Sequence, residues 1–194
     1  MKKVYLILLL TLCYSAHAQN TGFGFRLGAN LSKVVDIDEK AESKLGFHAG
    51  VFYNFKLTVR FHLRPEVEYS LQGAKDEIET VDANFNPINL KFKANYNYAN
   101  FRLLTDFQVL GKLSLQVGPQ FGILTLAELK TDRSKENLTD DLTSTELGIV
   151  LGLGYRLSGS FDINFRYNLG LTDLIDESAR NSVFQLGIGF LLIK

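Results

Sequence analysis

The sequence predicts an all-β protein: an eight-stranded antiparallel up-and-down transmembrane β-barrel behind an N-terminal signal peptide. Three observations predict it. Eight segments alternate apolar and polar residues with period two. Short turns alternate with long polar connections along the chain. The N-terminus has the layout of an export signal. The length of 194 residues suits one domain, expected over residues 19–194 after a signal at 1–18.

The signal is read from Lys2 and Lys3, the apolar run Val4 to Leu12, and the small residues of Ala16-His17-Ala18 before Gln19. That apolar run is too short for a permanent membrane helix. Leu12 stands where a lipoprotein signal ending at Cys13 expects a small residue. The single cysteine, Cys13, falls inside the leader, so a disulfide framework, a cysteine-based zinc site and a thiol nucleophile are excluded for the mature chain. Lys plus Arg and Asp plus Glu are each 21, giving zero net charge. Loss of the two leader lysines leaves 19 basic against 21 acidic residues, a charge of −2. That balance excludes a basic nucleic-acid footprint, and no nucleic-acid partner is expected.

The first strand reads Phe23, Phe25, Leu27, Ala29, Leu31 against Gly24, Arg26, Gly28, Asn30. The second reads Leu45, Phe47, Ala49, Val51, Tyr53, Phe55 against Gly46, His48, Gly50, Asn54. In the third, Val59, Phe61, Leu63, Val67, Tyr69 and Leu71 oppose Arg60, His62, Arg64, Glu66, Glu68 and Ser70. The fourth, around Asn95 to Phe107, sets Ala99, Phe101 and Leu103 against Asn100, Arg102 and Asp106. The fifth runs from Leu113 to about Leu129, with Leu115, Val117, Phe121 and Ile123 opposite Ser114, Gln116 and Gln120. The sixth sets Leu147 through Tyr155 against Gly148 through Arg156, the seventh Phe161 through Leu169 against Asp162 through Asn168. The eighth sets Phe184 through Leu192 against Val183, Gln185, Gly187 and Gly189. Such strands are long enough to cross a bilayer when tilted.

Turns are expected at Lys56-Leu57-Thr58, Leu110-Gly111-Lys112 and Ser158-Gly159-Ser160. Long polar loops are expected over 32–44, 72–90 and 130–145, and a shorter one over 173–180. The orientation follows from the polar faces. They carry charges of both signs at mid-strand and many glycines, including Gly28, Gly50, Gly152, Gly187 and Gly189. Small residues relieve crowding inside a narrow barrel. The opposite faces are nearly pure Leu, Ile, Val, Phe and Tyr. The apolar face is therefore read as lipid-facing, not as a lipocalin-like interior. Pro65 and Pro119 share the outward parity, and each is expected to make a local bulge.

The mature chain resembles the porin-like, PorT-like outer-membrane β-barrel family of Gram-negative bacteria. The resemblance rests on Phe25-Arg26-Leu27-Gly28-Ala29-Asn30-Leu31-Ser32, on Leu63-Arg64-Pro65-Glu66-Val67-Glu68-Tyr69-Ser70-Leu71, on Gly118-Pro119-Gln120-Phe121-Gly122, and on Arg166-Tyr167 followed by Gly170-Leu171-Thr172-Asp173. Where that family shows Tyr-Leu-Glu-Ile-Pro, this chain departs with Tyr98-Ala99-Asn100-Phe101-Arg102. The resemblance implies an outer-membrane location and a barrel fold.

The site-like residues are the charges of the polar faces: Arg26, Arg60, Arg64, Glu66, Glu68, Arg102, Asp106, Arg156, Asp162 and Arg166. A pore would use them as an ion path. An eight-stranded barrel, though, is about filled by side chains, and buried charges demand partners, so they are read as an interior charge network. His48 and His62 share the inward parity and could build a metal site or a catalytic base, but zinc sites usually need three or four ligands. No cofactor or metal is expected. The function read from the sequence is a non-enzymatic envelope protein with a structural or interaction role through long extracellular loops. The alternatives are a narrow solute or ion pore or secretion component, and a lipid-modifying barrel enzyme. The expected partners are outer-membrane lipid and an unidentified extracellular or periplasmic protein.

Overall fold

The computed structural model describes residues 22–35, 42–81, 87–131, 134–139, 143–173 and 180–192. The leader expected at 1–18 lies outside these residues. The strands are β1 (Gly22–Val35), β2 (Glu42–Lys56), β3 (Phe61–Val81), β4 (Pro87–Leu110), β5 (Leu113–Thr131), β6 (Lys135–Asn137), β7 (Thr145–Arg156), β8 (Phe161–Gly170) and β9 (Arg180–Leu191). Eight of them form a ring in the order β4-β3-β2-β1-β9-β8-β7-β5, closed by the β4–β5 pairing. All pairs are antiparallel, and β1 meets β9 through twelve residue pairs from Gly24↔Leu191 to Val35↔Arg180. Closure gives every wall strand two neighbours, which the bilayer interior demands. The three-residue β6 lies outside the ring, against the outer end of β5.

The period-two pattern sets the faces. Along β1, Arg26 is 3% exposed and its neighbour Leu27 is 64% exposed. Arg166 is fully buried while Phe165 is half exposed. The ionised faces are enclosed and the apolar faces form the outer surface. The interior is not wholly polar, however. Phe52, Tyr98, Leu104 and Val150 also point inward and are buried. At the outer end Val34, Tyr98, Leu124 and Ala127 form an apolar plug.

The turns at the other end are tight. Thr58 Oγ1 accepts the amides of Arg60 and Phe61, at 3.3 and 3.1 Å. Ser158 Oγ does the same for Ser160 and Phe161, at 3.3 and 3.2 Å. Gly111 takes φ +53° in the two-residue link between β4 and β5, a left-handed conformation that glycine adopts without steric cost.

Two expectations are corrected here. The loop expected over 72–90 is mostly a hairpin, because β3 and β4 stay paired from Phe61↔Phe107 to Val81↔Pro87. The other long links also shorten, since β1 continues to Val35 and β2 starts at Glu42. A hairpin standing clear of the membrane has no continuous apolar face, so its sequence shows no alternation. Secondly, neither proline makes a bulge. The β2–β3 register is the same on both sides of Pro65 (Phe52↔Glu66 and Phe55↔Leu63), with only the intervening pairs missing. Pro119 does the same to β4–β5, between Arg102↔Gln120 and Thr105↔Val117. A missing N–H opens the ladder without displacing the chain. The register shifts lie elsewhere, between Ser43 and His48 and at Asn97/Tyr98 and Gln108/Leu110.

Candidate functional site

The inward column of β3 brings Arg64, Glu66 and Glu68 into the lumen, two residues apart, as strand geometry requires. Arg26 from β1, Arg102 from β4 and Arg166 from β8 converge on the two glutamates. Glu66 accepts a bidentate pair from Arg166, Nη1 at 2.6 Å and Nη2 at 2.9 Å, and a third bond from Arg26 Nη1 at 3.0 Å. Glu68 accepts Arg102 Nη1 at 2.8 Å and Gln185 Nε2 at 2.9 Å, with Arg26 Nε 3.6 Å away. Bidentate guanidinium–carboxylate pairs are the strong, geometrically specific kind.

Neutral side chains complete the cluster. Arg26 Nη2 donates to Asn164 Oδ1 at 2.7 Å, and Arg166 Nε to Gln116 Oε1 at 2.8 Å. Arg102 Nε donates to Gln120 Oε1 at 2.7 Å. His48 from β2 sits 2.6 Å from Asn30 Oδ1 and 3.3 Å from Arg26 Nη2. Glu146 from β7 accepts Gln120 Nε2 at 3.2 Å and Asn181 Nδ2 at 2.5 Å. All eight wall strands thus contribute, and the bonds from Arg166 of β8 to Glu66 of β3 and from Arg102 Nη1 of β4 to Gln185 Oε1 of β9, at 3.2 Å, cross the lumen. Glycines make room for the bulk: a β-carbon at Gly187 would lie 3.0 Å from His48 Nε2 and 3.1 Å from Arg26 Nη2.

A second cluster lies toward the short turns. Arg64 Nη2 is 3.5 Å from Asp106 and 3.7 Å from Asp162, and its guanidinium stands 4.7 Å from the Phe52 ring centre. A cavity of about 20 Å³ lies among Arg64, Asp106, Gln116, Arg156 and Asp162, about the space of one water molecule.

Of the ten charged residues named from the sequence, Arg26, Arg64, Glu66, Glu68, Arg102, Asp106, Asp162 and Arg166 make these contacts. Arg60 does not. It is exposed in the turn that Thr58 holds, because the hydroxyl ends the strand pattern that Val59 and Arg60 otherwise continue. Arg156 is half-buried at the mouth, lining the small cavity without joining an ion pair among the described residues. The amides Asn30, Asn164, Gln116, Gln120 and Gln185 fall on the polar faces read from the sequence, but not among its charged site residues. His48 and His62 are both buried but do not meet. His48 pairs with Ser70 and His62 with Lys56, eight positions apart along β3, roughly 26 Å. Among the described residues, no group of three or more His, Cys, Asp or Glu could hold a metal.

A closed wall with an apolar exterior and an ionised, cross-linked lumen is the architecture of an outer-membrane barrel. The profile of the outer membrane protein beta-barrel domain family matches residues 17–176. The chain belongs to that family. Its place is the outer membrane. Among solved structures, the barrel is similar to Neisserial surface protein A, with TM-score 0.58 and 16% identity over 88% of this chain and 97% of that one. Ail, the attachment invasion locus protein of Yersinia pestis, gives TM-score 0.49 and 15% identity over 89% and 99%. The N-terminal barrel domain of Pseudomonas aeruginosa OprF gives 0.47 and 13% over 88% and 99%. At such identities the likeness is one of fold. No curated protein sequence matches the chain.

Proposed function

We propose that the mature protein, residues 19–194 after removal of the leader at 1–18, is a non-enzymatic and non-conducting envelope barrel. Its role is carried by the outer-end strands and links, which would meet an extracellular protein partner. The observation that carries this reading is the bonding across the lumen of Arg166 to Glu66 and of Arg102 to Gln185, with Arg26 tied to both glutamates. Side chains held by bonds on opposite walls leave a permeating ion no continuous path, and displacing them would strand buried charges. The test is planar-bilayer recording of the purified barrel. The expected result is a baseline without stepwise current at neutral pH across either polarity. Reproducible unitary steps would refute the closed reading.

A further inference from the structure

Above the apolar band, the outer surface carries a row of lysines set by register alone. Lys75 of β3 pairs with Lys93 of β4, Lys93 pairs with Lys130 of β5, and Lys130 pairs with Lys135 of β6. Directly opposed residues of an antiparallel ladder share one face. All four are exposed. With neighbouring strands about 4.8 Å apart, the row spans roughly 14 Å. Like charges directly opposite one another destabilise a sheet, so such a row has a standing need for anions. Glu128, next along β5, supplies one carboxylate, to Lys135 at 2.5 Å and Lys130 at 3.4 Å. Those two ammonium groups hold the Glu128 carboxyl below its ordinary range. By the same register Glu42 of β2 stands opposite Lys75, and among the described side chains no ion pair within 4.0 Å joins Lys75 or Lys93 to a carboxylate. Lys44 is buried and its ammonium donates to the Gln72 carbonyl; burial first, and then the charges of Lys93, Lys130 and Lys75, lower its pKa to about 8.

The height of the row selects the ligand. Lys75 lies four residues beyond Leu71, where the continuous apolar run of the outward face of β3 ends. That is about 13 Å along the strand and about 10 Å above the hydrocarbon once strand tilt is included. A lysine side chain reaches back along its own stem toward a membrane surface, which puts the four ammonium groups in the headgroup layer. The same outward face continues below as Tyr69, Phe101 and Ile123, all exposed to lipid.

We propose that Lys75, Lys93, Lys130 and Lys135 form a binding site for the multiply anionic headgroup of an outer-leaflet lipid, one whose phosphates are spread along the row. The lipid's chains lie against the apolar face beneath. The experiment places the intact barrel in nanodiscs of phosphatidylcholine with a small fraction of cardiolipin, a two-phosphate probe, and counts retained lipid by native mass spectrometry. Wild type is expected to retain cardiolipin roughly 25-fold above its share, about fivefold for each of two lysines engaged by a two-phosphate headgroup. Lys93→Gln with Lys130→Gln should bring retention within about twofold of that share. Lys93→Arg with Lys130→Arg should preserve it, as should Lys33→Gln, an exposed lysine of β1 outside the row. Raising salt from about 0.05 to about 0.5 M should release the probe from wild type, a readout that does not depend on any variant folding. Retention unchanged by the glutamine pair overturns the proposal. So does tripolyphosphate binding to barrels in pure phosphatidylcholine discs while cardiolipin is ignored, which would assign the row to a soluble polyanion.

Discussion

Neutralising Glu66 is the sharpest probe of the interior. Glu66→Gln keeps the shape but removes the charge that Arg26 and Arg166 both contact, with side chains at most 1% exposed. At about 4 Å between charge centres and an effective dielectric near 20, each pair is worth about 4 kcal/mol. The bare loss is therefore about 8 kcal/mol. Arg26 keeps Glu68 at 3.6 Å and Arg166 keeps Gln116 at 2.8 Å, which recovers part of it. The expected destabilisation is about 3–5 kcal/mol, the range for breaking a buried pair on one side. The assay is equilibrium unfolding of vesicle-reconstituted barrel by urea, followed by far-ultraviolet circular dichroism because the chain has no tryptophan. Adding Arg166→Gln should recover about 2 kcal/mol relative to the sum of the single changes, since the double variant no longer buries the Arg166 charge beside a neutral amide. A loss under about 1 kcal/mol for Glu66→Gln, or strict additivity, would refute the network as a set of coupled charges.

Gly152→Val would put a β-carbon 2.7 Å from Arg166 Cγ, whose guanidinium is pinned by Glu66 and Gln116; the midpoint of unfolding should fall by the equivalent of about 1–3 kcal/mol. Leu27→Arg, at the centre of the outward face of β1, should cost about 2–4 kcal/mol in vesicles, and an unchanged midpoint would mean that this position does not face hydrocarbon. Pro119→Ala restores a donor to the open β4–β5 ladder and should be neutral or stabilising by up to about 1 kcal/mol, the new bond being set against a more flexible unfolded chain. Gly111→Val should cost about 1–2 kcal/mol and Gly111→Asn less, because nothing lies within 4 Å of the added carbon and only the backbone conformation objects.

Where the chain crosses the membrane, its fold was readable because the bilayer imposes one rule on every residue. Leu27 and Arg26, adjacent in the chain, are 64% and 3% exposed, and a period of two records that difference directly. The fourth strand obeys it too, with Phe101 out and Arg102 in. Legibility ends at Gln72, where β3 and β4 leave the hydrocarbon but stay paired. Water on both faces removes the pressure to alternate, so the hairpin reads as loop. The charge network was readable in membership but not in wiring. Parity places Arg26, Glu66 and Arg166 in one lumen, whereas the choice of partner depends on strand stagger around a closed ring. Arg60 leaves the lumen for a local reason, as Thr58 captures the amides of Arg60 and Phe61 and converts a strand start into a turn.

The two prolines explain why the wiring lies where it does. Pro65 and Leu103 are paired across β3 and β4, and Pro119 falls opposite Leu103 in the uninterrupted register of β4 and β5. One row around the wall therefore lacks two ladder donors, in a medium where an unmatched backbone carbonyl is costly. The next row inward holds Glu66, Arg102 and Gln120. Arg102 bonds Gln120 at 2.7 Å across the β4–β5 seam and Glu68 at 2.8 Å across the β3–β4 seam. The Arg64 guanidinium over the Phe52 ring spans the β2–β3 seam. Side-chain bonds thus join the same pairs of strands from which the prolines remove backbone bonds. The lumen charges act as lateral ties of the wall as well as its filling, so the row that lacks two ladder donors is spanned by the same residues that fill the lumen.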